Sequence, residues 1–442
     1  MFTTLQNAFK IKALRNRILF TFAMLVVIRI GSQIPVPGID PGTFSDWFTS
    51  QVGDAADAFN FFNAFTGGSF LNMSILALNI TPYITSSIIM QLLTIAIPQL
   101  EEMQKEGEDG RKKIASITRY VTVALALLES GAMAIGFRNS GILQQGGNDI
   151  LSIVTIIAAL TAGSAFLMWI GEQITEHGVG NGISIVLTIN IISRMPQDIA
   201  SLFEQFVFSK DAIAVQVLAA VIIFAIIIGM IVLVIILNDA MRKIPVQYAQ
   251  KLQRGRAFGG NSFIPLRVNT AGVIPIIFAQ SILQFPLIIM SLFRVQATGT
   301  WGKVMACLNS SNWCNPNQPV YSIGLLLYIV MVIFFAYFYT SITFNPIEVA
   351  ENLKKAGGFI PGIRPGKPTS DYLTGILNYI IFIGAVGLTI VGILPYFFNG
   401  IFNASVSFGG TSLIIIVSVI LETLKQIESQ MSTFNYKGFL NE

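Results

Sequence analysis

The sequence predicts an all-α polytopic membrane protein with ten transmembrane helices and both ends of the chain on the cytoplasmic side. Three observations carry this. Of 442 residues, 53% are hydrophobic and only 11% charged, about half the charged fraction of a soluble domain. Uncharged apolar runs long enough to span a bilayer recur along the chain. And of the 27 Lys and Arg residues, 21 fall in alternate gaps between those runs, five in the intervening gaps, and one, Arg29, inside a run. Repeated crossings under the positive-inside rule produce that alternation.

Reading between charges places spans near 18–34, 71–97, 117–137, 150–171, 181–195, 213–237, 271–293, 320–343, 372–397 and 410–426. Phe2, Leu5 and Phe9 precede the first span at helical spacing with Lys10 and Lys12 behind them, which suggests an interfacial helix. The first run ends in Ile34-Pro35-Val36-Pro37 with no small-residue cleavage site, so it reads as a retained span. Residues 58–100 hold 43 uncharged residues, about 64 Å as one helix and twice the hydrocarbon core. Its opening, with Phe59, Phe61, Phe62, Phe65, Gly67 and Gly68, suits a short re-entrant or plugging helix on the outer side. An amphipathic segment on the outer surface is the alternative. Backbone that is not helical at membrane depth needs protein or a water-filled cavity around it, so the first reading implies something hollow.

The span at 181–195 is short and opens on Gly178-Val179-Gly180-Asn181-Gly182. Residues 212–237 form an unambiguous span, and the 50 uncharged residues 372–421 must be two spans joined near 399–410. Between spans 6 and 7, Ile244, Val246 and Tyr248 alternate ahead of a glycine-bearing stretch and a second apolar run, suggesting a projecting hairpin. Between spans 8 and 9, Pro361-Gly362 and Pro365-Gly366 bracket Arg364 on a turn. Cys307 and Cys314 share an outer loop beside Trp313; a local disulfide and two free thiols are both open readings.

No metal site is expected, since His177 is the only histidine, and no catalytic set or nucleotide loop is present. Two ionisable groups lie within spans: Arg29 near the outer end of span 1 and Glu129 in span 3. A structural ion pair between them is the expectation. Uncharged polar residues are commoner, among them Thr81, Thr85, Ser86, Ser87, Gln91 and Thr94 on span 2 and Gln280 and Gln284 on span 7. They are ordinary packing glue, or a seam that opens at low cost. A secondary transporter would need more ionisable groups at the midplane, and an intramembrane protease a catalytic set.

Several stretches resemble the SecY family of translocase channel subunits. Arg29-Ile30-Gly31-Ser32-Gln33-Ile34-Pro35-Val36-Pro37-Gly38-Ile39-Asp40 is similar to the family's first outer turn. Asn79-Ile80-Thr81-Pro82-Tyr83-Ile84-Thr85-Ser86-Ser87 resembles its second span, and Glu106-Gly107-Glu108-Asp109-Gly110-Arg111-Lys112-Lys113 the loop that follows. Met168-Trp169-Ile170-Gly171-Glu172-Gln173, Asn269-Thr270-Ala271-Gly272-Val273-Ile274-Pro275 and Phe359-Ile360-Pro361-Gly362-Ile363-Arg364-Pro365-Gly366 extend the likeness nearly end to end.

The resemblance implies two pseudo-symmetric five-helix halves around a central hourglass pore, with spans 1–4 and the plug in 1–177, span 5 and the exterior loop linking the halves in 178–212, and spans 6–10 with the cytoplasmic loops 238–268 and 344–371 in 213–442. It implies an aliphatic pore ring of Ile80, Ile84, Ile183, Leu187, Ile277 and Ile415 and a plug built on the Phe-rich segment near 59–70. It makes spans 2 and 7, with 3 and 8, a lateral gate, a seam that Thr85, Gln91, Thr94, Gln280 and Gln284 suit. The basic loops, with Arg242, Lys243, Lys251, Arg254, Arg256, Lys354, Lys355, Arg364 and Lys367, become docking surface for a SecA motor ATPase and the ribosome. SecE-like and SecG-like small subunits, secretory and membrane-protein nascent chains and lipid complete the implied partners, in a bacterial cytoplasmic membrane. No cofactor and no enzymatic activity are implied. His177, where the family commonly has a basic residue, and Glu129, where it is commonly uncharged, depart from the pattern.

Overall fold

A computed structural model describes residues 2–51, 63, 66–139, 141, 149–208, 213–248, 251–253, 256–258, 262–293, 299–314, 318–402 and 410–438. A helix stands at each of the ten expected span positions. In chain order the helices are α1 (Phe2–Lys10), α2 (Lys12–Gly31), α3 (Pro41–Gln51), α4 (Thr81–Ala96), α5 (Pro98–Lys105), α6 (Glu108–Asn139), α7 (Asp149–His177) and α8 (Gly182–Phe203). They continue as α9 (Ile213–Asp239), α10 (Ile274–Phe293), α11 (Gly299–Leu308), α12 (Ile323–Thr343), α13 (Pro346–Lys355), α14 (Lys367–Phe402) and α15 (Gly410–Gly438). Five segments are by themselves long and apolar enough to cross a bilayer: Glu108–Arg138, Ile150–His177, Ala214–Asp239, Pro319–Lys355 and Lys367–Phe397. A sixth joins them if the bent pair Thr81–Thr94 and Pro98–Gln104 counts as one.

The second span departs from expectation. Residues 66–80 run through successive turns, and helix begins only at Thr81, with Pro82 in its first turn, where a missing N–H costs nothing. At the other end Pro98 pushes Ile97 to φ −112°, ψ 112°, which ends α4 and starts α5 in a new direction. The irregular segment is held by protein. Val36 N–H donates to Met73 O at 2.8 Å and Ile75 N–H to Ile34 O at 2.9 Å, a short pairing with the chain leaving α2. Phe70 stacks edge-on with Phe44 of α3, which does the same with Phe137 of α6. Asp40 starts α3: its Oδ2 accepts from the Thr43 N–H and Oγ1, both at 2.9 Å, and these bonds hold the carboxyl below the usual carboxylate range.

The short fifth span is anchored by its cap. The Asn181 carboxamide oxygen accepts from the N–H groups of Ile183 and Ser184, and α8 then runs past Pro196 to Phe203. The predicted hairpin forms as β1 (Met241–Tyr248) paired antiparallel with β4 (Ser262–Arg267), with β2 (Lys251–Gln253) and β3 (Arg256–Phe258) between them. A feature not foreseen is β5 (Gly358–Phe359), which pairs with the far end of β1 and makes a sheet of order β4-β1-β5.

Within the bundle α7 packs on α6 and α8, and α4 on α6; α10 packs on α12, and α12 on α14. Contacts of α6 with α10 and of α8 with α15 join these groups. Lipid tails are as apolar as leucine, so close packing rather than water exclusion holds such helices. Hydroxyl pairs Ser86–Thr122 and Ser130–Thr161 add interhelical bonds, each worth only about 0.6 kcal/mol in comparable settings.

The expected ion pair of Arg29 with Glu129 does not form. Helix α2 packs on α7, and α7 in turn on α6, and the buried Arg29 Nη1 has no hydrogen-bond partner among the described residues. The α6–α7 pair carries instead Arg119–Glu172 at 2.7 Å. Cys307 and Cys314 are both free thiols, and burial pushes the Cys314 thiol up.

Close approach explains one glycine directly. A Cβ on Gly163 of α7 would overlap the Ile75 carbonyl of the irregular segment. Gly163→Ala should therefore destabilise by about 1–3 kcal/mol, the usual range for overpacking. Thermal unfolding of the purified chain in lipid nanodiscs measures it, and an unchanged midpoint would contradict the packing described.

Candidate functional site

The six aliphatic residues singled out above meet in one hydrophobic cluster. Ile80, at the start of α4, Leu187 of α8 and Ile415 of α15 are buried in it. Ile84 of α4, Ile183 of α8 and Ile277 of α10 are half-buried against it. Four helices thus contribute, and the pairs Ile80/Ile84 and Ile183/Leu187 repeat at i, i+4, so each pair presents from one face of its helix. The approach is tight: a Cβ on Gly171 of α7 would lie 2.6 Å from Ile183 Cδ1. Side chains of this composition offer no hydrogen bond to water or to a peptide, so contacts among them part without breaking polar bonds.

The irregular segment 66–80 leads into this cluster and packs on α8. Asn190 Nδ2 donates to Asn79 Oδ1 at 2.9 Å, with both residues buried. Asn79 sits at φ +53°, a conformation asparagine tolerates better than most residues. Gly67 and Gly68 have φ of +64° and +84°. A Cβ on Gly67 would lie 2.6 Å from the Asn190 carbonyl oxygen, so this glycine is fixed by proximity as well as by its φ. Phe59, Phe61, Phe62 and Phe65 lie outside the described residues. Sequence reading missed the Asn79–Asn190 pair; its only trace is an asparagine within each of two apolar runs.

The polar residues assigned to a seam bond in different ways. Thr85 Oγ1 donates to Thr81 O and Thr94 Oγ1 to Met90 O, each within α4, and Gln91 is exposed. Gln280 of α10 donates through Nε2 to Tyr396 Oη of α14 at 2.6 Å. That tyrosine stacks edge-on with Trp313, 4.9 Å between ring centres, and with Tyr328, 5.8 Å. The Gln284 side chain lies outside the described residues.

The basic residues collect on the small sheet and its neighbours. Arg242 and Lys243 are exposed on β1, with Lys243 Nζ 4.9 Å above the Phe263 ring of β4. Lys354 and Lys355 end α13, where cations suit the helix C-terminus. Arg364 and Lys367 are exposed beside two tight turns with Gly362 at φ +83° and Gly366 at φ +101°. Thr369 Oγ1 donates to Arg364 O at 2.8 Å and stiffens that turn. Lys251 and Arg256 lie on β2 and β3, but their side chains, and Arg254 altogether, lie outside the described residues. The β1–β5 pairing brings the two basic loops onto one platform.

A family model described as SecY matches residues 74–424. The protein translocase subunit SecY of Bacillus subtilis (strain 168) is 42% identical over 448 residues, covering 100% of both chains. A solved structure described as that of a protein conducting channel shares 18% identity with a TM-score of 0.60, covering 94% of this chain and 92% of the other. Sec61 in the canine ribosome–channel complex from the endoplasmic reticulum shares 16% with a TM-score of 0.60 over the same shares. These two likenesses are of fold. Full-length identity to the curated relative and the family match together decide the assignment: the chain belongs to the SecY family.

Proposed function

We propose that this chain is the central channel subunit of a Sec translocase, passing unfolded secretory polypeptides across the membrane and releasing transmembrane segments sideways into lipid. Family membership makes it a protein translocase subunit rather than an enzyme. The observation that carries the channel reading is the convergence of Ile80, Ile84, Ile183, Leu187, Ile277 and Ile415, from four helices, on one apolar cluster. As a waist it seals by dewetting and stretches around a polypeptide. The buried, irregular segment 66–80 above it is the base of a plug that continues into the Phe-rich stretch.

Spans 1–4 in 1–177, span 5 in 178–212 and spans 6–10 in 213–442 surround this waist, and the α6–α10 contact is where the lateral gate opens. The channel is passive. Energy comes from a motor ATPase or from a translating ribosome docked on the platform of Arg242, Lys243, Lys354, Lys355, Arg364 and Lys367. Basic side chains suit ribosomal RNA phosphates, and a solved relative of this fold sits in a ribosome–channel complex. Small SecE-like and SecG-like subunits cover part of the lipid-facing surface. The basic platform faces the cytoplasm by the positive-inside rule, with both termini on that side of a bacterial plasma membrane. The transporter alternative gains nothing from the relatives, which are protein translocase subunits.

Two substitutions test the separate parts. Arg364→Glu should weaken ribosome binding and lower its salt dependence by about one unit of log–log slope, as for loss of one phosphate contact. Binding to proteoliposomes across a salt series reads this; an unchanged slope would remove Arg364 from the contact. Ile183→Ser should raise resting chloride leak through proteoliposomes several-fold while translocation of a preprotein persists. A leak equal to wild type would take Ile183 out of the seal.

A further inference from the structure

The root of the β1–β4 hairpin is tied into the bundle by a chain of side-chain hydrogen bonds. Asn269 Nδ2 donates to Asn238 Oδ1 at 2.9 Å, and Asn238 Nδ2 donates to Ser418 Oγ at 2.8 Å. Val268 N–H donates to Ala240 O at 2.9 Å and closes the hairpin base beside them. One residue on from Asn238, Asp239 Oδ1 accepts from Lys425 Nζ at 2.6 Å. Three elements meet here: the end of α9, the strand leaving β4 towards α10, and α15.

The placement of these residues gives the chain its meaning. Asn238 is four residues before Arg242 of the basic platform. Ser418 follows Ile415 by three residues on α15, one helical turn away, and its neighbours Ile416 and Val419 belong to the same waist cluster. Asn269 begins the short link to α10, whose Ile277 packs against that cluster. Asn269 is 92% buried, so its amide has few other partners to choose among. A hydrogen-bonded amide in such a setting fixes orientation, because losing its partner leaves a desolvated polar group.

We propose that the Asn269–Asn238–Ser418 chain positions the waist against the platform, so that a partner docking on the hairpin shifts Ile415 and Ile277 through α15 and α10. The three are positioning residues: none touches the translocating chain. The Lys425–Asp239 pair is half-exposed and steers the same junction weakly, as exposed pairs do. This inference rests on the channel reading of the waist.

The test uses the full chain with its partner subunits in proteoliposomes, reading chloride leak before and after addition of bacterial ribosomes, with ribosome binding measured in parallel. Wild type should bind ribosomes and leak more on binding. Asn238→Leu and Ser418→Ala should bind with unchanged affinity and leak as wild type at rest, while the ribosome-induced increase falls about fivefold, the worth of one net hydrogen bond. Ser418→Thr, which keeps the hydroxyl, should restore the increase. The double variant should lose no more than either single one, because one chain is broken twice. Unchanged induced leak in both single variants overturns the proposal. So does a parallel fall in ribosome affinity, which would make the chain a mere support for the hairpin. Failure of wild type to bind ribosomes or to leak on binding would instead overturn the docking and channel reading beneath it.

Discussion

The aliphatic contact among Ile80, Leu187 and Ile415 is the interaction on which the rest of the structure depends. Its side chains, gathered in one apolar cluster, have no hydrogen bond to give. Such a contact separates at low cost and holds only while the helices carrying it stay in register. Side-chain amides brace those helices. Asn190 bonds Asn79 beside Ile80, and Asn181 caps the helix of Ile183 and Leu187. The Gly171 position admits Ile183 at contact distance. The waist is apolar, and its scaffold is tied by amides and hydroxyls.

Hydrogen-bond satisfaction sets the second constraint. Backbone at membrane depth has to find partners in protein, and residues 66–80 do so against three neighbours: the chain after α2, the aromatic group of Phe44, Phe70 and Phe137, and α8. A helix in this place would need none of these contacts. The irregular path therefore ties the segment above the waist to its surroundings by many small contacts.

Much of this was legible in the sequence, and what was not has identifiable causes. Uncharged apolar runs located a helix at each of the ten expected span positions, since span-length hydrophobic runs leave their mark over the whole chain. The β1–β4 hairpin showed itself through the alternation of Ile244 and Val246, both of which are buried. The turns about Arg364 were announced by their Pro-Gly pairs. The six waist residues were not distinguishable by composition from lipid-facing isoleucines; only family resemblance picked them out. Strand β5 spans two residues, too few for any periodicity. Helical continuity was overestimated at 71–80, where hydropathy is the same for buried turns as for a span. The pairing of Arg29 with Glu129 failed because span order along the chain does not say which helices pack together: α2 lies on α7, and α7 on α6. The partner of Gln280, Tyr396, is 116 positions away, beyond the reach of any local pattern.

The most direct test of the central claim is site-specific photocrosslinking from Ile183 and Ile415, with a secretory polypeptide stalled part-way across reconstituted membranes. The waist assignment predicts crosslinks from both positions and none from lipid-exposed Val221 on α9. Absence of crosslinks from both, in a preparation where the stalled chain is demonstrably engaged, would contradict it.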